Sequence, residues 1–170
     1  MTYRSPTPLQ PQHELEAFHC GSQEQTSWLQ RFARQSAASG STRVFVVTEA
    51  NSEQVVAYYA WCMAHLAIEA APDRLRRGAG KYPQPAALLA RLGVDSSHEG
   101  RGLGSGMLRD VLLRFLAVAD EIGARALLIH AESENARAYY LHLLPDLLPS
   151  PIDPLHLILL AKDLRRTLLL

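Results

Sequence analysis

Cysteine is nearly absent: Cys20 and Cys62 stand far apart with no CxxC spacing, which excludes a disulfide framework and a zinc site and leaves two buried thiols as the expectation. Net charge is absent too. Seventeen Lys plus Arg balance seventeen Asp plus Glu, so a polyanionic partner would have to be met by a local patch rather than a global field. No apolar run reaches the roughly 18 residues of a membrane span, and the start, MTYRSPTPLQPQHELEAF, has no signal-peptide shape. A cytoplasmic location follows as the expectation. Internal repeats and low-complexity segments are missing as well. The length suits one domain over residues 1–170, with a single sizeable core.

What is present is a regular alternation of elements. QEQTSWLQRFARQS predicts an amphipathic helix with Trp28, Leu29 and Phe32 on one face, stopped at Gly40 and Ser41. RVFVVTEA and VVAYYAWCMAHLAI, separated by the polar NSEQ, predict an antiparallel hairpin. Residues 70–85 read as a basic loop held open by prolines and glycines, and ALLARLGVD after it as a strand. Leu103, Met107, Leu108, Val111, Leu112, Phe115, Leu116 and Ala119 recur at helical spacing, with Gly123 as terminator. ALLIHAES then predicts a strand, ENARAYYLHLL a short helix, and LHLILLAKDL a closing strand, with Leu168, Leu169 and Leu170 as a frayed tail. The order implies an α/β (α+β) fold with a mixed, mainly antiparallel sheet flanked by helices.

One stretch concentrates the chemistry. HEGRGLGSGMLRDVLL puts Gly100, Gly102, Gly104 and Gly106 at alternate positions between a strand and a helix. Strand, glycine loop and helix together make a phosphate grip, in which backbone N–H groups point into a concavity and the helix dipole adds partial positive charge. A P-loop would need Lys followed by Ser or Thr after the last glycine, and GSGMLR supplies neither in place. A dinucleotide fingerprint needs GxGxxG, whereas the spacing here is GxGxGxG, with Glu132 only a forced fit for its acidic residue.

ALLARLGVDSSHEGRGLGSGMLRDVLLRFLA resembles the cofactor-binding core of the Gcn5-related N-acetyltransferase (GNAT) family, in which a strand ending in hydrophobic-Val-Asp leads into (Gln/Arg)xxGx(Gly/Ala) and a long helix. Glu99, Gly102 and Gly104 hold the motif positions, with Glu99 standing where the family carries Gln or Arg. The resemblance implies acetyl-CoA as cofactor, with the backbone of Gly100, Arg101, Gly102, Leu103, Gly104, Ser105 and Gly106 around the pyrophosphate. It also implies that the exposed edge of Leu92, Gly93 and Val94 hydrogen-bonds the pantetheine arm like an added strand, and that Asn135 belongs to the same cofactor site. A Glu99 carboxylate beside a pyrophosphate would be repelled by about 1 kcal/mol in water, so Glu99 is expected to point outward.

FHCGSQEQTSWLQRFA, EAAPDRLRR, RALLIHAESENARAYY and SPIDPLHLILLAKDL extend the resemblance to the aminoacyl-tRNA-acetylating toxins of bacterial toxin–antitoxin modules, over most of residues 13–164. In that branch ExAxxFY carries a tyrosine at the cofactor thiol, matched here by Glu134, Ala136, Tyr139 and Tyr140. This implies Tyr140 as the catalytic residue, with Tyr139 expected in the core. The implied chemistry is attack of an amine on the thioester, an oxyanion steadied by a backbone N–H near Val94, and departure of a thiolate. A tyrosine near pKa 10 donates uphill to a thiolate whose acid lies near 8.5, so hydrogen bonding to sulfur is the less costly role. An antitoxin partner and a homodimer are implied with it. LHLLPDLLPSPIDP departs from the branch, because Pro145 and an apolar run replace its glycine turn.

No carboxylate or histidine is marked by spacing as a general base. Glu49, Glu69, His65 and His130 are candidates by type alone, and satisfied structural roles are expected for both histidines. A base-poor site suits an α-amine, about a tenth of which is neutral at pH 7, better than a lysine near 10.4. For the tRNA phosphates the candidates are Arg31, Arg34, Arg74, Arg76, Arg77 and Lys81, with Arg43 nearby in sequence. No metal site is expected. Two alternatives stay open: an acetyltransferase for small-molecule or peptide amines, and a non-catalytic acyl-CoA-binding module of the same fold.

Overall fold

Runs of β-branched and aromatic residues form the pleated surfaces, and the turn chemistry between them sets their direction. In the computed structural model, which describes residues 2–168, β2 (Arg43–Thr48) and β3 (Val55–Leu66) make the expected antiparallel hairpin, in register from Arg43↔Trp61 to Val47↔Ala57. A two-residue strand that the prolines disguise, β1 (Thr7–Pro8), adds to the outer edge of β2. β4 (Gln84–Val94) runs parallel to β5 (Ala126–His130), which pairs antiparallel with β7 (His156–Leu160), and β7 in turn with the short β6 (Leu148–Pro149). The sheet order is β1-β2-β3-β4-β5-β7-β6. A parallel pair needs a crossover, and here α4 (Leu103–Val118) supplies it, followed by a π-turn over Ala119–Gly123.

The chain divides into two compact units, one made of residues up to Cys62 with Ala90–Asp110, the other of Met63–Leu89 with the residues from Val111 onward. Strands β3 and β4 each contribute to both. In the first unit Leu15, Phe18, Leu29, Val44, Val46, Val55 and Tyr58 form the core under α1 (Gln23–Arg31). In the second, Leu66, Leu75, Ala86, Ala126, Leu128, Ile158 and Leu160 do so.

The predicted first helix is two helices. Ser22 caps α1 by accepting from Gln25 N–H, and the chain breaks at Phe32 before α2 (Ala33–Ala38). The break turns Phe32 away from the face that buries Leu29, so Phe32 is exposed. The basic loop carries a 3₁₀ turn (Ile68–Ala70) and α3 (Asp73–Arg76), and Pro85 already lies in β4. The closing strand ends at Leu160, after which α6 (Ala161–Leu168) turns Leu164 inward. Leu168 is thus helical rather than frayed, while Leu169 and Leu170 lie outside the described residues. Cys20 and Cys62 are half-buried rather than fully enclosed. Among the described residues no helix is long and apolar enough to cross a membrane.

Candidate functional site

The β4–β5 ladder runs from Ala86↔Ala126 to Leu89↔Ile129 and includes no residue of Ala90–Val94. The end of β4 therefore keeps backbone groups on that edge outside the ladder, a row able to accept an extended chain. Gly93 is packed tightly. A Cβ there would lie 3.1 Å from the Tyr58 ring and 3.4 Å from Phe18, so glycine lets the strand settle onto the aromatic core.

Asp95 then closes the strand. Its buried carboxylate accepts from the N–H groups of His19 and Ser97 and from the Ser97 hydroxyl, capping a 3₁₀ turn over Ser96–His98. Burial by itself would push this carboxyl up, but those hydrogen bonds hold it below the usual range. After the exposed Glu99, Gly100 (φ +73°) and Gly102 (φ +81°) take left-handed conformations that other L-residues resist. That double reversal delivers the chain into α4.

Only half of the glycine ladder is needed for the turn, because Gly104 and Gly106 lie inside α4 with negative φ. The Gly106 N–H donates to the Gly102 carbonyl at 2.9 Å, so Gly106 is not a phosphate donor and the expected grip shortens by one residue. The N–H groups of Leu103, Gly104 and Ser105 precede the first helical hydrogen bond and face outward from the helix start. No acidic residue sits in that first turn, and Glu99 is exposed outside it. Arg101 is exposed beside the turn, its Nη1 donating to the Tyr3 hydroxyl at 3.1 Å. The donor set fits a pyrophosphate: backbone N–H groups, a helix start and a guanidinium, with nothing within 4 Å of where a Cβ on Gly100 would sit.

In the second unit Ser133 caps α5 (Glu134–Leu143) by accepting from Ala136 N–H at 3.1 Å. Asn135 is exposed in the first turn. Tyr140 is 8% exposed and Tyr139 41%, reversing the expectation that Tyr139 is the core aromatic; α5 turns the later ring inward and leaves the earlier one at its edge, ring centroids 5.8 Å apart. Burial, with Tyr139 and Glu132 nearby, pushes the Tyr140 hydroxyl well above the usual tyrosine value, so Tyr140 is a neutral hydrogen-bond donor at physiological pH.

The six basic candidates split. Arg74 makes a two-pronged ion pair with the buried Asp163 carboxylate, at 2.6 and 2.8 Å. Arg76 donates to the carbonyls of Ile68, Glu69 and Ala71, and Arg34 to those of Gln10 and His13. Arg76 thus holds its own loop, while Arg74 and Arg34 tie distant segments together, and all three guanidiniums are poorly placed to serve a phosphate. Arg31, Arg77 and Lys81 are exposed, their side chains without a hydrogen bond or ion pair among the described residues.

The base candidates also resolve. Glu49 lies 3.3 Å from His98. His65 is exposed on β3 rather than satisfied in the core. His130 stacks on His156 at 3.8 Å between centroids; partial burial lowers its pKa, the neighbouring His156 lowers it further, and Asp153 opposes both. Among the described residues no three His, Cys, Asp or Glu side chains cluster as metal ligands. Sequence reasoning missed the Tyr3–His98–Glu49 contacts, since three distant segments supply them and no spacing marks them.

Comparison with known proteins bears on this geometry. Residues 10–143 match the Acetyltransferase (GNAT) family. The tRNA-acetylating toxin of Mycobacterium tuberculosis is 40% identical over 163 residues, covering 96% of this chain and 95% of that protein. The fold superposes on AtaT complexed with acetyl-methionyl-tRNAfMet with a TM-score of 0.87 at 20% identity, over 96% of this chain and 98% of that one. It also superposes on a tyrosine-to-phenylalanine variant of AtaT bound to the C-terminus of the antitoxin AtaR and acetyl-CoA, with a TM-score of 0.82 at 18% identity, over 99% of each chain. These two likenesses are of fold.

Proposed function

The chain belongs to the Acetyltransferase (GNAT) family, and from that premise we propose that it is an acetyl-CoA-dependent N-acetyltransferase, a toxin that acetylates the α-amine of aminoacyl-tRNA and so blocks translation. The observation that carries the acceptor class is the 40% identity, over nearly the whole of both chains, to a tRNA-acetylating toxin. Residues 1–170 then act as one acetyltransferase domain, in the cytoplasm where charged tRNA is found. A partner antitoxin and a homodimer belong to the same reading.

Acetyl-CoA supplies an activated acetyl thioester. The N–H groups of Leu103, Gly104 and Ser105 and the side chain of Arg101 hold its phosphates, and the backbone of Leu92 to Val94 holds the pantetheine arm as an added strand. The N–H near Val94 donates to the acetyl oxygen as negative charge gathers there. A new N–C bond forms as the C–S bond breaks, the surplus proton of the attacking amine passing by way of solvent to the departing thiolate, to which Tyr140 donates a hydrogen bond. Its raised pKa suits that role better than outright proton loss. The acceptor needs no strong base, because about a tenth of a free α-amine is already neutral at pH 7 and the electron-withdrawing ester raises that fraction. Of the six basic candidates, Arg31, Arg77 and Lys81 are the ones left available for tRNA phosphates.

The test is transfer of labelled acetyl from acetyl-CoA to a charged tRNA pool, beside uncharged tRNA, free amino acids, polyamines and peptides. Label on charged tRNA alone is expected. Label on small amines or peptides would move the protein to another acceptor class, and CoA binding without any transfer would make it a non-catalytic module.

A further inference from the structure

The glycine turn is tied to the start of the chain. Tyr3 forms an antiparallel bridge with Glu49, and the adjoining Arg4 N–H and Ala50 N–H donate to the Thr48 and Thr2 carbonyls at 2.9 Å each. The Arg4 guanidinium reinforces this by donating to the Ala50 carbonyl and to Glu53. The N-terminal arm is thereby fixed against the end of β2, and the Tyr3 ring meets the edge of His98 at 5.7 Å between centroids, with an interplanar angle of 71°.

Four polar groups follow in series. Glu49 Oε1 lies 3.3 Å from His98 Nε2, His98 Nδ1 lies 2.8 Å from the Tyr3 hydroxyl, and Arg101 Nη1 donates to that hydroxyl at 3.1 Å. The directions of the bonds are set by chemistry. A carboxylate only accepts, so Nε2 carries the proton facing Glu49, and in neutral imidazole Nδ1 must then accept from Tyr3. The Tyr3 oxygen, its proton committed, presents a lone pair to Arg101. Were His98 protonated, that oxygen would still accept from Arg101.

We propose that Tyr3, His98 and Glu49 are positioning residues for coenzyme A: their series of polar contacts fixes the Arg101 guanidinium beside the Gly100–Gly102 turn, where it takes a CoA phosphate. His98 is 8% exposed and sits at the base of the turn it helps to aim. An exposed arginine otherwise samples many rotamers, and ordering one on binding costs affinity. Anchoring it beforehand removes part of that cost.

The inference rests on the CoA-binding reading above, and titration calorimetry of CoA into the full chain separates the two. If wild type binds no CoA, that reading fails together with the inference. Given binding, Tyr3→Phe should weaken CoA by about three- to tenfold, the cost of re-ordering one long side chain. In an Arg101→Ala background the same substitution should change affinity by less than about 1.5-fold, because the group it positions is gone. A merely structural role for Tyr3 would weaken binding equally in both backgrounds and would overturn the proposal. Glu49→Gln, which keeps an acceptor for Nε2–H, should hold most of the affinity that Glu49→Ala loses. Equal affinity for wild type and Tyr3→Phe, at unchanged melting temperature, would also overturn it.

Discussion

Two glycines four residues apart should respond to alanine in opposite ways. Gly102 has φ +81°, a conformation that costs an L-residue about 1–2 kcal/mol, so Gly102→Ala destabilises by that amount whatever the space around it. Gly106 lies inside α4 with a helical hydrogen bond already made and nothing within 4 Å of an added Cβ. Alanine there gains about 1 kcal/mol of helix propensity. At about 2.1 cal/mol/K per residue, unfolding 170 residues carries an entropy of roughly 0.36 kcal/mol/K near 60 °C. The melting temperature should therefore fall by about 3–6 °C for Gly102→Ala and rise by about 3 °C for Gly106→Ala. Thermal unfolding followed by circular dichroism reads both, and CoA titration of the same samples reads function. CoA affinity should drop for Gly102→Ala, whose turn must shift, and hold for Gly106→Ala, whose N–H is not a phosphate donor. A lowered melting temperature for Gly106→Ala, or two variants of the same sign, would refute the division of the glycine ladder into turn and helix.

Tyr140→Phe should lower turnover roughly 10- to 100-fold, the worth of one hydrogen bond to a charged leaving group, while CoA affinity changes little. Because burial raises the pKa of that hydroxyl, turnover should show no loss from tyrosine ionisation up to about pH 10; a tyrosine-type decline centred below that would contradict the buried placement. Asp163→Asn should cost about 1–3 kcal/mol by breaking the paired bonds from Arg74. The Arg74 hydrogen bonds hold the Asp163 carboxyl below its usual value, so this contribution is complete above about pH 4 and disappears as pH falls through the lower folded-state pKa; denaturant unfolding at pH 7 and pH 3 checks it. Glu99→Gln should change acetyl-CoA affinity by less than about twofold at physiological salt, since an exposed charge is well screened, and a large gain would place Glu99 against the phosphates. Replacing Arg77 and Lys81 with Ala should lower the slope of charged-tRNA affinity against salt by about one for each phosphate deprived of its cation.

Patterns of short range were legible in the sequence. The β2–β3 hairpin, the strand before the glycines, α4 with its stop at Gly123 and the short helix of ENARAYYLHLL all follow from residues within a few positions of one another. The division of labour among the four glycines was not, because GxGxGxG looks uniform while the helix begins between its second and third members. Nor was the exposure of Tyr139, since adjacent helical positions differ in facing by about 100° and the sequence does not say which of two neighbouring tyrosines meets the core. Arg34, Arg74 and Arg76 resembled a basic surface because their acceptors are backbone carbonyls and a carboxylate 89 residues away. The same distance problem hid Tyr3, Glu49 and His98, which meet only once the N-terminal arm lies along β2.

The measurement that tests the central claim most directly is identification of the acetylated atom after reaction with charged tRNA. Mild alkaline hydrolysis of the tRNA ester, followed by mass spectrometry, should release N-acetyl amino acid from the wild-type reaction and, at the same early time, roughly 10- to 100-fold less from Tyr140→Phe. Free, unmodified amino acid from both, with CoA bound normally, would contradict the account.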